Sequence, residues 1–427
     1  MDINRKTAYD VLFAVEAKKQ YSNIALNNFI KKNNPDAQGF VRELVYGVLE
    51  NKILIDYYIS KFIKGRIKDV RRQDLIILRM GIYQIKFMES VPTYAAVDEC
   101  VKLAKKFARG RDKFINGVLR SFLRDGEKIM LPKKEEDPVK YLSVKYSYEK
   151  WIVELWLESY DFEVVEELLR LGNGRPPVTI RVNRMKGDRA TCKDKLENLG
   201  YQVSLCENAD TGLYVKGERL LDTDMYKNGE FSVQDEASQM VAIELEPEVS
   251  QVVCDVCAAP GGKSLSVAER MKNTGRVISQ DIYEKKTEEI ARQAERLGLS
   301  NVEVSVWDGT VLREELVEKC DRVIADVPCS GLGVIRRKPE IKYNKNFEEV
   351  MNLPKLQLEI LQNASRYLKA GGQMVYSTCT INAKENEDVV KAFIDINNNF
   401  RVVKSHQFLP NVDNSDGFYI CVLKKEC

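Results

Sequence analysis

Through the first 124 residues, apolar positions recur at the three- and four-residue spacing of amphipathic helices. In the stretch 8–30, Val11, Leu12, Val15, Ile24, Leu26 and Phe29 follow that spacing, and 71–88 and 97–124 continue it. The pattern predicts an all-α N-terminal domain. Residues 125–140, DGEKIMLPKKEEDPVK, interrupt it with a glycine, two prolines and a dense charge run, and read as a linker. One or two amphipathic helices follow in 148–172. Pro176 and Pro177 then block helix continuation, and a strand is expected at Val178–Val182. With a helix in 192–200 and a strand in 201–206, this stretch predicts a small α+β unit.

From residue 233 the period changes. Strands at 251–257, 276–281, 301–307, 321–327 and 372–378 alternate with helices near 263–272, 284–298 and 352–369. Such alternation predicts a mostly parallel sheet covered by helices on both faces. Two further strands, in 401–406 and 417–425, are placed to form a hairpin at the sheet edge. Three domains are therefore expected: helical over 1–134, linker plus small α+β unit over 135–232, and α/β over 233–427.

Charge sharpens this division. The 427-residue chain has a net charge of +2, but residues 1–134 carry +12 and the remainder −10. Within the basic block, KFIKGRIKDVRR (61–72) and KKFARGRDK (105–113) interleave Lys and Arg with apolar residues and glycine, which favours RNA over a merely solvated surface. In the middle unit, Arg175, Arg181 and Arg184 could line a phosphate track or simply lie on the surface. No apolar run approaches the ~18 residues of a membrane span, and the start has no signal-peptide pattern. Ten cysteines without such a signal read as reduced thiols of a cytoplasmic protein. A single histidine, His406, excludes zinc sites built on paired histidines, and no metal is expected. Chemistry must then rest on cysteine, carboxylate and lysine.

Candidate chemistry collects at the predicted strand ends. QVVCDVC (251–257) runs into Ala258-Ala259-Pro260-Gly261-Gly262-Lys263-Ser264 and a helix. Glycines at a strand-to-helix turn allow close backbone approach to a ligand, and the helix N-terminus offers amide donors. The loop is neither G-x-G-x-x-G nor a Walker loop, because Cys257 stands where the latter needs its first glycine. Asp281, 26 residues after Asp255, ends the second strand, where a carboxylate can accept from ribose hydroxyls; Asp308 ends the third, where one can accept from an adenine amino group. An adenosine ligand with no pyrophosphate fits, and S-adenosylmethionine is the expected cofactor. Each aspartate taken alone also reads as a helix cap. Cys254 and Cys257 form a lone C-x-x-C, read as packing and loop residues.

Two cysteines differ from the rest in context. Asp326-Val-Pro-Cys329-Ser-Gly follows the fourth strand and Ser377-Thr-Cys379-Thr the fifth, both on the edge that carries the proposed pocket. Thiolates in polar loops, favoured by Lys263 and helix N-termini, suit attack on C6 of a pyrimidine, which makes C5 nucleophilic enough to accept a methyl group. The base must be unstacked or already single-stranded. Asp326 either hydrogen-bonds the cytosine at N3 or N4 or contacts the cofactor's methionine end. An amino-group methyltransferase would instead need an Asn/Asp-Pro-Pro-aromatic loop, which DVPC does not supply.

These motifs, DVCAAPGGKS, Asp281, Asp308, DVPCSGLG and STCT, in this order, resemble the RNA cytosine-5 methyltransferases. Ser264, where that family usually has Thr, retains the hydroxyl. Gln234-Asp-Glu-Ala-Ser238 looks like that domain's entry, and the basic helical N-terminus resembles the NusB antitermination factor fold. The fusion is similar to bacterial enzymes that methylate 16S ribosomal RNA. The resemblance implies a Rossmann-like fold with an antiparallel final strand, Cys379 as nucleophile and Cys329 assisting product release. It also implies a cofactor site formed by Cys257 to Lys263, Asp281, Asp308 and Asp326, and it makes RRKPEIKY (336–343) a basic segment near the RNA. The expected enzyme is a monomer without membrane association. Transfer RNA as substrate, or a catalytically inert RNA-binding assembly or antitermination factor, are the alternatives.

Overall fold

The computed structural model describes residues 1–426 and divides the chain into two compact units. The first comprises Met1–Gly174 together with Ile335–Asn346; the second comprises Arg175–Val334 and Phe347–Cys427.

The first unit is all-helical, as its apolar spacing requires. Helix Ile3–Lys18 starts where Asp2 accepts hydrogen bonds from the amides of Asn4 (3.0 Å) and Arg5 (3.2 Å), satisfying donors that have no partner within the helix. Val11, Leu12 and Val15 then face a core shared with Leu26, Leu44 and Ile76, whereas Ile24 faces solvent. Inside this unit Arg79 is buried and ion-paired on both sides, with Asp56 at 2.6 Å and Glu16 at 2.7 Å. The stretch expected to be a linker contains a 3-10 turn, Gly126–Lys128, and then opens a helix, Pro138–Tyr146, with Asp137 as cap and proline in its first turn. Helices Lys150–Leu157 and Phe162–Leu171 complete the 1–174 portion.

The segment 335–346 belongs to this helical unit, although the sequence places it in the α/β region. The buried Glu340 carboxylate accepts from the amide (2.9 Å) and hydroxyl (2.7 Å) of Ser22. Lys342, also fully buried, donates to the carbonyl of Glu50 (2.9 Å) and to Oδ1 of Asn173 (2.8 Å), and its ammonium lies 4.4 Å from the centre of the Tyr148 ring. Tyr343 donates to the carbonyls of Leu49 (2.8 Å) and Ser147 (3.0 Å). The segment expected near RNA is thus keyed into a helical core from residue 340 onward.

The second unit contains two sheets. The smaller, in order β2-β3-β1-β4, is antiparallel and built from β1 (Val178–Val182), β2 (Gln202–Leu205), β3 (Gly212–Lys216) and β4 (Phe231–Val233), with helix Arg189–Asn198. The larger sheet has seven strands: β5 (Val252–Asp255), β6 (Arg276–Asp281), β7 (Val302–Val306), β8 (Cys320–Asp326), β9 (Leu368–Thr378), β10 (Phe400–Phe408) and β11 (Phe418–Lys425). Its order is β10-β11-β9-β8-β5-β6-β7; β9 to β7 run parallel, and β11 and β10 close the edge antiparallel. This is the Rossmann-like arrangement with an antiparallel final strand. The chain winds outward from β5 to β7 and then returns to β8 on the other side of β5, which makes the β5–β8 edge the topological switch point, where such sheets bind ligands.

Arg181 is neither a surface residue nor part of a phosphate track. It is 1% exposed and donates to both carboxylate oxygens of Glu269 (2.8 and 3.3 Å) and to the carbonyl of Gly262 (2.7 Å), binding the small sheet to the helix Gly262–Arg270. Arg184 pairs with Asp210. A buried charge requires such a partner, because desolvating it alone costs several kcal/mol.

Burial drives the Lys342 amine down to about 7, against the nearby Glu50 carboxylate, from about 10.4 in an unfolded chain. Between these values the unfolded chain holds a proton that the folded one lacks, so stability rises with pH across that window. Lys342→Met is expected to flatten this rise between neutral pH and about pH 10, as measured by urea midpoints over the range.

Candidate active site

Five strand ends of the large sheet, those of β5 to β9, come together. After β5 the chain turns through Cys257–Gly261, and Gly261, at φ +99°, leads into the helix Gly262–Arg270. A Cβ there would be strained by the backbone angle and would press Ile290 and Leu265 at 3.3 Å, so glycine is required. Asp281, at the end of β6, is largely buried and accepts from the amides of Ala259 (3.3 Å) and Tyr283 (3.1 Å), which ties the second strand end to the first loop. Asp308, after β7, accepts from the amide (2.9 Å) and hydroxyl (2.8 Å) of Thr310 in a local turn. Its loop abuts the first as well: a Cβ on Gly309 would lie 3.4 Å from the carbonyl of Val256 and 3.6 Å from the sulfur of Cys257.

Asp326, at the end of β8, is the junction. One carboxylate oxygen pairs with the ammonium of Lys263 at 2.6 Å, and the other accepts from the hydroxyl of Ser377, at the end of β9, at 2.7 Å. Burial pushes the Lys263 amine down, but the charge and hydrogen bond of Asp326 outweigh it and hold the amine above its ordinary value. The ammonium also lies 5.3 Å from the centre of the Phe418 ring. Ser264 donates to Asp255 at 2.6 Å, keeping the hydroxyl function noted in the sequence; burial raises the Asp255 carboxyl to about 7.

Cys329 and Cys379 meet. Their sulfurs are 3.1 Å apart, and the amide of Cys379 donates to the sulfur of Cys329 at 3.3 Å. Both side chains are half-buried. Sharing a proton with Cys379, together with burial, drives the Cys329 thiol well above its usual range. Cys257 is also pushed up, by burial and by Asp255, Asp326, Asp281 and Asp308, consistent with a loop residue and not with a thiolate. Cys254 is fully buried, a core residue as expected.

Sequence reasoning missed the group that fixes the two cysteine loops. The fully buried Glu385 accepts from the amide of Ser330 (2.8 Å), from Gln357 (3.0 Å) and from Asn382 (3.0 Å), while Gln357 also donates to the carbonyl of Pro328 (2.9 Å). One carboxylate thereby braces the residues that flank Cys329 and those that follow Cys379. Glu385 lies in the run Lys384–Asp388, whose composition reads as a solvated helix start; the available signal was Asn382, a capping residue three positions earlier. Beyond Cys329, Gly333 donates to the carbonyl of Cys379 (3.0 Å), and a Cβ there would lie 1.9 Å from the carbonyl oxygen of Gly417.

Comparisons with known proteins bear on this arrangement. Residues 242–424 match the family model "16S rRNA methyltransferase RsmB/F", residues 2–124 the NusB family, and residues 148–221 the RsmF/B-like ferredoxin-like domain. The "probable ribosomal RNA small subunit methyltransferase B" of Bacillus subtilis is 38% identical over 99% of this chain and 98% of its own. The chain belongs to the RsmB/F methyltransferase family. The Vibrio cholerae "ribosomal RNA small subunit methyltransferase B" is 32% identical over 97% of each chain. The crystal structure of PH0851 superposes with a TM-score of 0.84 over 98% of both chains at 24% identity, so the fold is shared along the whole length.

Within this family member, Glu385→Ala is expected to slow single-turnover methyl transfer on the order of a hundredfold, because loops freed by even 1 Å lose productive alignment. Glu385→Gln, which keeps one acceptor, should recover part of the rate. Equal rates for the wild type and the alanine variant would exclude the bracing role.

Proposed function

We propose that this protein transfers a methyl group from S-adenosyl-L-methionine to C5 of a cytosine in 16S ribosomal RNA, through a covalent bond between Cys379 and C6. The observation that carries this reading is the pair of thiols, 3.1 Å apart, beside the Lys263–Asp326 ion pair at the switch point of the sheet. Membership of an rRNA methyltransferase family and the names of full-length relatives supply the substrate class.

The residues present fit the cofactor. The glycine turn at Gly261, set by its positive φ, aims the N-terminus of the helix Gly262–Arg270 at the strand ends, and Asp281 and Asp308 offer acceptors to an adenosine moiety. Cys257 to Lys263, with Asp281, Asp308 and Asp326, would hold it. When bound, the cofactor supplies an electrophilic methyl group on a sulfonium.

Cys379 attacks C6 as a thiolate, favoured by the ammonium of Lys263, whose charge is felt at that sulfur. The S–C6 bond pushes electron density onto C5, which takes the methyl group. Asp326, paired with Lys263, either hydrogen-bonds the cytosine at N3 or N4 or contacts the cofactor's methionine end. Loss of the C5 proton then expels the Cys379 sulfur and restores the aromatic base, with Cys329 assisting elimination and release. The division of labour is RNA docking by the helical unit, whose residues 1–134 carry +12, and catalysis by the large sheet of the second unit, with the small antiparallel sheet contributing to RNA binding. RNA affinity of the docking module should fall steeply with salt. We place the enzyme in the cytoplasm as a monomer; no helix among the described residues is long and apolar enough to cross a membrane.

Two variants test the mechanism. Cys379→Ala should abolish methyl transfer and retain RNA binding; Cys329→Ala should accumulate a covalent protein–RNA adduct visible on denaturing gels. The adduct appearing only in the first variant would reverse the two roles. Bisulfite sequencing of RNA from cells lacking the protein should show one 16S cytosine methylation lost, and a loss confined to transfer RNA would overturn the substrate.

A further inference from the structure

The contact between Cys329 and Cys379 has a second chemical capacity, independent of methyl transfer. We propose that the pair is an oxidant-responsive dithiol, closed to a disulfide by hydroperoxides and reopened by thiols, so that the enzyme is reversibly switched off.

Three observations support this. The sulfurs are 3.1 Å apart, and a disulfide needs ~2.05 Å, so closure requires about 1 Å of movement. Both cysteines sit just beyond β8 and β9, in loops that Glu385 braces, so side-chain rotation supplies that movement and the backbone can stay in place. Both side chains are half-buried, not sealed, so a small oxidant can reach them. Two sulfur environments also help: Lys263 places positive charge near Cys379, and the amide of Cys379 points at the sulfur of Cys329. Accessible thiols with an adjacent resolving thiol are those that oxidise reversibly.

The step balances as follows. The sulfur of Cys379 attacks one oxygen of hydrogen peroxide; an S–O bond forms, the O–O bond breaks, and the departing hydroxide takes the thiol proton and leaves as water. The resulting sulfenic acid is attacked by the sulfur of Cys329; the S–S bond forms, the S–O bond breaks, and a second water leaves with the second thiol proton. Two electrons pass from the sulfurs to the peroxide. Neither sulfur can then reach a cytosine, and exchange with a dithiol restores both.

The chain carries its own comparison. Cys254 and Cys320 also interact, but both are fully buried in the strand core. The same chemistry without access should leave them reduced.

The test is a titration of the full-length protein with hydrogen peroxide, followed by alkylation and non-reducing peptide mapping. The expected result is a linked peptide pair, Cys329 with Cys379, two hydrogens lighter than the free peptides. Cys254 and Cys320 should stay alkylatable, and the link should disappear with dithiothreitol. Methyl-transfer activity should fall in proportion to the link and return with it. In Cys329→Ser, Cys379 should instead proceed to sulfinic acid that dithiothreitol does not reverse. A wild-type protein that gives sulfinic acid at Cys379 with Cys329 free, or that links other cysteines first, would overturn the proposal. Only the loss of activity rests on the catalytic role proposed for Cys379. If the link forms in a protein that methylates no RNA, the dithiol stands and the functional reading fails.

Discussion

The ion pair between Lys263 and Asp326 is the constraint on which the site depends. Lys263 belongs to the helix that follows the first strand of the large sheet, and Asp326 ends the fourth in sequence; the same carboxylate takes the hydroxyl of Ser377 from the fifth. A lone buried charge at either position would be costly, and together they form a charge-assisted contact, the stronger kind of hydrogen bond. The pair ties the start of the helix that follows β5 to the end of β8, and it holds the amine of Lys263 above its ordinary value. Glu385 complements it from behind by holding the loops that carry the sulfurs.

Much of this arrangement was legible in the sequence, for a physical reason. Parallel strands buried on both faces read as short apolar runs, and strand-end loops carry the glycines, aspartates and cysteines that chemistry needs. The boundaries of β1 and β6 follow from that patterning without adjustment. The other strands of the large sheet differ mainly at their ends, where backbone pairing stops before or after the apolar run; β9 begins at Leu368, four residues before the expected start, because pairing to β8 reaches back to Cys320. Asp281 and Asp326 end β6 and β8 and Asp308 follows β7, as the pattern of strands predicts; Asp308 also satisfies a local turn.

What escaped the sequence depends on contacts between distant positions. Arg181 looked like a basic surface residue because nothing local reveals that Glu269 will meet it. Glu385 drew no notice because its partners, Gln357 and Ser330, lie 28 and 55 residues away. The stretch 336–343 shows its charge in one dimension, but not the buried destinations of Glu340 and Lys342. For Arg181, Glu385 and Lys342 a charge count predicts exposure, and a partner far along the chain reverses it. Arg79, Asp56 and Glu16 together carry −1, so withdrawing this buried triad does not lower the +12 of residues 1–134.

The insertion of 335–346 into the helical unit has a consequence for biosynthesis. Chains emerge from the ribosome N-terminus first, and domains generally fold as they appear. Here Ser22, the carbonyl of Glu50 and Asn173 are all translated long before Glu340 and Lys342, the residues that satisfy them. The helical unit can therefore collapse early but reaches its complete set of partners only after most of the catalytic domain has been made. Its completion is a late event in synthesis, and a nascent chain stalled before residue 340 would hold an unfinished core.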